Sequence, residues 1–349
     1  MTPAILFGVW LVARTGMSPA SQAATISAVA DPAVAGVSEY VQWSAIEAVD
    51  GQPDYTAVDA FTPALLAAGK PVNVALIAGG YAPAWLSSYG VASATFVNSL
   101  PIGPGQYECQ TSTEYTPWDG TFQARYMAAL QGLVAHLQAE GIEVAGVELS
   151  GLNHLTAEFH MEAQTKTAPG SGCMGTDATA LWQAVGYQSG LMEGAAATIY
   201  AATAQAFPGA ALSFPYIDAN ELPLIGPKGQ TVSAAKVAGY LATVLAGAVA
   251  EGAVTQYNDL ATGAAIPADW QAGGALQTTP WFSGNPGNPC APATVQAACS
   301  DADFGALLQS AIAAGASRIE VWGGDFEYED QILAADQALL GAHARSQTP

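Results

Sequence analysis

Short apolar runs rich in β-branched residues alternate along the chain with longer stretches rich in Ala and Leu. This alternation predicts parallel β-strands that are joined by helical crossovers. The predicted strands are 5–13, 36–43, 71–78, 142–150, 210–216, 253–259, 273–279 and 317–323. The predicted helices lie near 19–32, 55–68, 120–140, 180–206, 231–251, 301–315 and 328–344. Because eight strands are the number that closes a barrel, the pattern predicts an α/β fold of the (β/α)₈ (TIM) barrel type, with an open doubly wound sheet as the alternative.

The chain is predicted to be a single domain over residues 1–349, because no linker, charge block or internal repeat divides it. One crossover is weak, since residues 260–272 hold only a short segment that is interrupted by Pro267. The longest irregular stretches each follow a strand, and they are 79–119, 151–179 and 280–299. They are therefore expected on one rim of the barrel, the C-terminal face on which barrel enzymes place their chemistry.

The apolar run at 5–13 is similar to the core of a signal peptide. No basic residue precedes it, however, and Ser18 with Pro19 begins a predicted helix directly after it. We interpret the run as strand 1 of a mature, secreted sequence whose signal peptide is absent. No run reaches the ~18 continuous apolar residues of a membrane helix, so no membrane association is predicted.

Charge is the unusual feature of the composition. Eight Lys and Arg residues face 29 Asp and Glu residues, which gives a formal net charge of −21. A nucleic-acid partner is excluded, because phosphate binding needs clustered cations. Charged residues make up only 11% of the chain, well below the usual ~25%. A sparsely charged acidic surface favours an extracellular protein that works at low pH.

Four cysteines, at 109, 173, 290 and 299, all fall in predicted loops. None forms a CxxC pair, so the spacing does not indicate a zinc or redox site. We predict the disulfides Cys109–Cys173 and Cys290–Cys299, which imply an oxidising compartment. Free thiols in a cytosolic protein are the alternative.

Strand alternation identifies the side chains that point into the barrel. In the fourth strand, the aliphatic Val147 and Leu149 are expected to face the helices. The side chains that the same rule turns inward are Asn73, Glu148, Ser150, Gln256, Asn258, Gln277, Glu320 and Trp322. A barrel interior is ordinarily filled by Val, Ile and Leu, and buried amides and carboxylates are unfavourable unless they are paired. The pattern predicts a polar pocket, with a self-satisfied internal hydrogen-bond network as the alternative.

Aromatic residues gather beside these positions: Trp43, Tyr81, Trp85, Trp118, Trp281 and Trp322. Sugar rings present flat C–H faces that pack on indoles, while their hydroxyl groups need amides and carboxylates. Aromatic, amide and carboxylate side chains on the same rim therefore favour a saccharide site.

The order of several motifs resembles that of clan A glycoside hydrolases, which include barrel β-galactosidases and cellulase-like enzymes. Residues 43–47 (WSAIE) followed by 51–55 (GQPDY) are similar to their W-x-x-I-E-P-x-x-G-x-Y-D passage after strand 2. Residues 69–72 (GKPV) with 82–86 (APAWL), and 117–119 (PWD), are also similar to theirs. The resemblance covers about residues 36–160 and returns at 319–325. It implies a barrel that acts on carbohydrate.

The family supplies an acid/base from an Asn-Glu pair that ends strand 4 and a nucleophile from a Glu that ends strand 7. This chain has no adjacent Asn-Glu after strand 4 and offers Gln277 in strand 7, and an amide cannot form a glycosyl ester. The resemblance therefore implies Glu158 as acid/base and Glu320 as nucleophile, with Glu148 as a competing partner. A retaining pair stands ~5–5.5 Å apart. An inverting pair, ~6.5–9.5 Å apart, stays open as an alternative.

The remaining predicted substrate contacts are Trp43, Glu47, Tyr81, Trp118, Asp119, Glu148, Asn153, Gln277, Trp281, Trp322 and Asp325. No cofactor or metal is predicted, because His154 and His160 do not have the spacing that places two imidazoles on one helical face. The acidic residues from Asp325 to Asp330 are read as first-turn residues of a helix, with a calcium site as the alternative. The predicted partner is a poly- or oligosaccharide. A catalytically inactive carbohydrate-binding barrel and a secreted structural protein remain as alternatives.

Overall fold

Eight parallel strands close into a barrel in the computed structural model, which describes residues 5–103, 106–162, 173, 176–217, 222–261, 265–280 and 301–346. The strands are β1 (Gly8–Arg14), β2 (Val34–Gln42), β3 (Val72–Ile77), β6 (Val144–Glu148), β7 (Ala211–Tyr216), β8 (Val254–Leu260), β9 (Ala275–Thr278) and β10 (Arg318–Trp322). They follow one another around the barrel in chain order, and β10 pairs with β1. The predicted barrel is confirmed, and the open doubly wound sheet is excluded.

Helices surround this barrel: α1 (Pro19–Ala28), α2 (Trp43–Ile46), α3 (Thr56–Asp59), α4 (Thr62–Ala68), α5 (Gly120–Ala139), α6 (Ala178–Ala184), α7 (Ser189–Ala206), α8 (Ala234–Ala250), α9 (Asp301–Ala314) and α10 (Glu329–Ser346). Short 3₁₀ segments follow β3 and β10, at Gly79–Tyr81, Ala84–Tyr89 and Gly323–Tyr328. The predicted helix at 180–206 is in fact two helices, because Gly186 adopts a φ of +82° between them. Between β8 and β9, the described residues contain no helix, as the weak pattern around Pro267 suggests.

The stretch 79–119, predicted to be irregular, contains an antiparallel hairpin of β4 (Ser93–Gly103) and β5 (Gln106–Tyr115). Cys109, on β5, forms the predicted disulfide with Cys173, with the two Cα atoms 5.5 Å apart. This disulfide ties the hairpin to the long segment that follows β6. The other predicted disulfide, Cys290–Cys299, lies outside the described residues.

Local sequence signals explain several boundaries of these elements. The Ser18 side chain accepts a hydrogen bond from the backbone N–H of Ser21, which caps α1, and Pro19 occupies the first turn. Gly69 ends α4 in the left-handed conformation with a φ of +62°. The outward-facing strand residues Val147 and Ile319 are fully buried in the layer between barrel and helices, as strand alternation predicts. No helix in the described part of the chain has the length and apolar character needed to cross a membrane.

Candidate functional site

The interior of the barrel holds a hydrogen-bonded polar network around Tyr40. Its hydroxyl lies 2.6 Å from Glu320 Oε2 and 3.1 Å from Glu148 Oε1. The same hydroxyl accepts hydrogen bonds from the side-chain amides of Gln277, at 2.8 Å, and Gln256, at 3.0 Å. Tyr40 is 5% exposed and the two carboxyl residues 1% and 0%. The carboxyl groups of Glu148 and Glu320 therefore lie on either side of the Tyr40 hydroxyl oxygen, and neither is accessible to solvent.

Both oxygens of Glu320 are engaged within this network. Oε1 accepts a hydrogen bond from the Ser38 hydroxyl at 2.5 Å. Oε2 accepts bonds from Tyr40 and from the Gln277 amide, the latter at 2.7 Å. Asn73 completes the network by donating to Glu148 at 2.8 Å.

Arg318 supplies the positive charge of the network. Its Nη2 lies 3.4 Å from Glu320 and 3.9 Å from Glu148, and it donates to the side chains of Ser213 and Gln256. Burial, and then repulsion by Glu320, raises the pKa of Glu148 to about 8, against the lowering effect of Arg318. The protonated form of Glu148 is therefore favoured at neutral pH.

Glu158 lies higher in the barrel, on the loop 149–162 that follows β6. Its Oε1 accepts a hydrogen bond of 2.8 Å from Asn258, and its Oε2 has no hydrogen-bond partner among the described residues. The side chain borders a mouth cavity of about 50 Å³, whose other lining residues are Arg14, Tyr40, Ile77, Thr156, Ala157, Gln277 and Trp322. A water occupies ~30 Å³ in the liquid, so the mouth cavity has room for one or two waters and no sugar ring.

The loop that carries Glu158 is fixed to the end of β3. Asn153 accepts a hydrogen bond from the Ala78 backbone at 3.2 Å and donates to the Thr156 carbonyl at 2.7 Å. Gly79 has a φ of +40°, and a Cβ atom there would lie 2.0 Å from the carbonyl oxygen of His154. Only glycine fits this close backbone approach.

The same loop is also tied to the hairpin. The ring of His154 lies between two buried carboxyl groups, since Nδ1 contacts Glu114 on β5 and Nε2 lies 3.2 Å from Glu162. Asn98 on β4 donates to Glu162 at 2.7 Å. Among the described residues, no group of His, Cys, Asp and Glu side chains has the arrangement of a metal site.

Two wider clefts flank the mouth cavity on the same face. The first, the α1 cleft, has a volume of about 630 Å³ and shares Arg14 and Trp322 with the mouth cavity. Its other lining residues are Gly16, Met17, Ser18, Ala20, Ser21, Ala24, Gln42, Tyr81, Pro280, Gly323 and Gly324. The second, the hairpin cleft, has about 390 Å³ between the hairpin and residues 80–84, and it shares Tyr81 with the first. The α1 cleft therefore adjoins the mouth cavity at Arg14 and Trp322, and it adjoins the hairpin cleft at Tyr81.

Four of the predicted site residues border these concavities: Tyr81, Glu158, Gln277 and Trp322. Two more, Glu148 and Glu320, lie beneath them in the polar network. Hydrogen bonds connect Glu158 to Glu320 only indirectly, through Asn258 and Gln256. Trp281 lies outside the described residues.

The other predicted contacts do not border the concavities. Trp43 is fully buried, packs against Trp85, Phe122 and Tyr126, and donates from Nε1 to Glu47 at 2.9 Å. Trp118 packs against Trp182 and Tyr187. Asp325 is fully buried and accepts a hydrogen bond from the Trp322 backbone at 3.1 Å. Asn153 holds the loop, as described above.

Asp119, also predicted as a substrate contact, is the N-cap of α5. It accepts hydrogen bonds from the backbone N–H groups of Thr121, at 2.7 Å, and Phe122, at 3.2 Å. Asp119→Ala is therefore expected to reduce the free energy of unfolding by about 1 kcal/mol. Urea denaturation measures this loss. An unchanged stability combined with a lost ligand affinity would instead make Asp119 a binding residue.

Sequence reasoning missed Arg14 and Arg318. Both have the inward parity of their strands, Arg14 with Trp10 on β1 and Arg318 with Glu320 on β10. Alternation alone would have identified them, had it been applied to the terminal residues of those strands.

No family model matches the sequence, and no curated protein matches it either. Solved structures do match in fold. The catalytic domain of the β-amylase from Paenibacillus polymyxa has a TM-score of 0.56 at 12% identity, with 91% of this chain and 93% of that chain covered. The β-galactosidase from the Antarctic haloarchaeon Halorubrum lacusprofundi has a TM-score of 0.52 at 10% identity, covering 95% and 57%. That from the psychrophilic Marinomonas ef1 has a TM-score of 0.53 at 11% identity, covering 97% and 60%.

This chain thus spans nearly the whole β-amylase domain and less than two thirds of each of these β-galactosidases. The resemblance to clan A glycoside hydrolases is confirmed for the fold. Identities of 10–12% carry no activity from these proteins to this one.

Proposed function

We propose that this protein is a secreted glycan-binding barrel, which takes a saccharide in the clefts over the barrel mouth. The observation that carries the proposal is the position of Glu158. Among Glu148, Glu158 and Glu320, it alone borders the mouth cavity. Its Oε2 is buried and has no hydrogen-bond partner among the described residues, so it is an acceptor that a ligand hydroxyl entering the mouth cavity would satisfy.

The chemistry of the α1 cleft supports a saccharide. Trp322 and Tyr81 offer aromatic surface, while Arg14 and Gln42 offer hydrogen-bond donors along the same wall. A volume of about 630 Å³ falls within the ~300–1,000 Å³ range of ordinary ligand sites. The structural neighbours are a β-amylase and β-galactosidases by name, which makes carbohydrate the first class of ligand to test.

The contacts of Glu320 favour binding over retaining hydrolysis. A nucleophile must reach the anomeric carbon, yet both oxygens of Glu320 are hydrogen-bonded and the residue is 0% exposed. Tyr40 and Gln277, which line the mouth cavity, separate it from any ligand there. Hydrolysis through the pair Glu158 and Glu320 would require this network to come apart.

Hydrolysis by inversion, with Glu158 as the general acid or the general base, is the second candidate. The mouth cavity that Glu158 borders is the right size for one or two waters. An inverting enzyme activates such a water with one carboxylate and protonates the leaving oxygen with another carboxyl group, and Glu158 is the only carboxyl residue among the described residues that line this cavity. Release of reducing ends from a bound oligosaccharide would establish this activity.

Secretion is supported by two features of the chain. The disulfide Cys109–Cys173 requires an oxidising compartment in most organisms. The net charge of −21 with only 11% charged residues suits a protein that is exposed to an acid medium.

Titration with hexasaccharides tests the proposal. The set contains maltose-, cellulose-, xylan-, mannan- and galactan-type chains together with uronic-acid chains, and calorimetry and Trp fluorescence report binding. We expect at least one member to bind, and Glu158→Gln to weaken that binding about tenfold. Glu143→Gln is the matched control, because Glu143 is an exposed residue that precedes β6 at the opposite end of the barrel. Absence of binding to every hexasaccharide would overturn the proposal.

A further inference from the structure

Arg14 occupies the centre of the proposed glycan site. It is the last residue of β1 and lines both the α1 cleft and the mouth cavity. The chain has only 8 Lys and Arg residues against 29 acidic ones. A positively charged side chain in this position is therefore unusual for so acidic a protein and indicates a role in binding.

Most of the hydrogen-bond donors of Arg14 are unused. Nη2 donates to the Tyr81 hydroxyl at 3.1 Å and to the Leu155 carbonyl at 2.6 Å, and the guanidinium carbon lies 5.5 Å from the centre of the Tyr81 ring. A guanidinium has five N–H donors. Within the described ranges Nη1 has no hydrogen-bond partner, and Nε is buried without one. The side chain is thus held in place through Nη2, Nε is buried, and Nη1 is the nitrogen that remains available to a ligand.

Arg14 also has no acidic partner among the described residues. Within the described part of the chain, no carboxylate oxygen lies within 4.0 Å of its guanidinium. Two other arginines do have acidic partners. Arg125 lies 3.5 Å from Asp50, and Arg318 lies 3.4 Å from Glu320. An unpaired guanidinium in a cleft is a favourable site for an anion.

The N-terminus of α1 adds positive potential to the same cleft. Ser18, Ala20 and Ser21, from the cap and first turn of this ten-residue helix, line the α1 cleft beside Arg14. Helix N-termini favour anions through their free N–H groups and their dipole. Glu158 borders the mouth cavity on the other side of Arg14. An anion is therefore expected on the α1 side, away from the Glu158 carboxyl group.

We infer that the glycan is acidic, and that Arg14 binds the carboxylate of a uronic-acid residue in the α1 cleft. This inference rests on the proposed function. A carboxylate accepts a charge-assisted hydrogen bond from Nη1 and compensates the charge of the guanidinium, which a neutral hydroxyl does not. Trp322 lines the same cleft and offers its indole to the sugar ring.

The test compares one carbohydrate skeleton with and without its charge. Galacturonan, mannuronan and glucuronan hexasaccharides are titrated as free acids and as methyl esters, by calorimetry at ~0.15 M salt so that repulsion by the acidic protein is screened. At least one free acid is expected to bind about tenfold or more tightly than its ester. Arg14→Gln is expected to remove this difference, because it weakens binding of the free acid far more than binding of the ester. Arg14→Lys is expected to retain part of it, since the positive charge remains with a different donor geometry.

Arg125→Gln is the matched control, because Arg125 is a surface arginine outside the clefts, and it is expected to retain the full preference for the acid. If Arg14→Gln fails to fold, Arg14→Lys and the comparison of acid with ester in the unmodified protein still decide the matter. Equal binding of acid and ester, or tighter binding of a neutral hexasaccharide, overturns the acidic ligand while glycan binding stands. Tighter binding of a sulfated galactan hexasaccharide overturns the carboxylate. If no saccharide binds, the proposed function itself fails.

Discussion

Replacing Arg318 with methionine is expected to destabilise the barrel by about 3–5 kcal/mol at pH 8. Arg318 is 2% exposed and is the cation that faces Glu148 and Glu320 inside the barrel. Methionine fills similar space but leaves buried carboxyl groups without a counter-charge. Such a group is far more costly to bury than a hydrogen-bonded ion pair.

The loss of stability in the variant Arg318→Met should depend on pH. Glu148 already has a pKa of about 8, held down by Arg318 and raised by burial and by Glu320. Without Arg318 that pKa rises further, so Glu148 stays protonated to a higher pH. At pH 4 the Glu148 carboxyl group is neutral in both proteins, and the difference in stability from the unmodified protein should be smaller than at pH 8.

Urea denaturation of both proteins at pH 4 and pH 8 measures this difference. Arg125→Met is the control, since an exposed pair such as that of Arg125 with Asp50 contributes about 1 kcal/mol or less. The double variant Arg318→Met with Glu320→Gln should recover part of the stability, which a double-mutant cycle quantifies. An equal loss at both pH values would mean that Arg318 acts through packing and not through charge.

Much of the fold could be predicted because periodicity is local. The eight barrel strands lie within a few residues of the predicted positions, from Gly8–Arg14 to Arg318–Trp322. The hairpin formed by Ser93–Gly103 and Gln106–Tyr115 was missed, because its second strand (QYECQTSTEY) consists mainly of polar residues and shows no apolar alternation. Its buried face is short and is completed by contacts with a distant loop, as in the bond from Asn98 to Glu162.

The candidate site was predicted only in part. Strand alternation indicates which side chains point into the barrel, but it does not indicate how far below the barrel mouth each one lies. Glu320 and Gln277 both point inward, yet Gln277 borders the mouth cavity and Glu320 lies beneath it. Depth depends on the stagger of strands around the barrel, which side-chain parity does not encode. The motif around Trp43 and Glu47 shows the same limit. The Trp43 indole donates a hydrogen bond to Glu47 and packs against Phe122, which lies on the distant helix α5.

Glu39→Gln is expected to stabilise the protein at pH 8 by roughly 4 kcal/mol and to change its stability little at pH 4. Glu39 lies on β2 between Ala13 and Val74 of the neighbouring strands, is 1% exposed, and has no hydrogen-bond partner for either carboxyl oxygen among the described residues. Burial, and then repulsion by Asp59, raises its pKa from 4.5 to about 8. Between these two values the folded protein retains a proton that the unfolded chain releases, so stability falls as the pH rises.

Glutamine mimics the protonated carboxyl group at every pH and removes this dependence. Urea denaturation at pH 4, 6 and 8 should therefore give a gap between variant and unmodified protein that widens with pH. Glu143→Gln, at an exposed position, should show no such widening. A variant that is less stable at all three pH values would mean that Glu39 is ionised and satisfied in the folded state. The expected result would instead place the stability optimum of the unmodified protein on the acid side, where Glu39 and Glu148 both retain their protons, in agreement with the low-pH habitat that the composition suggests.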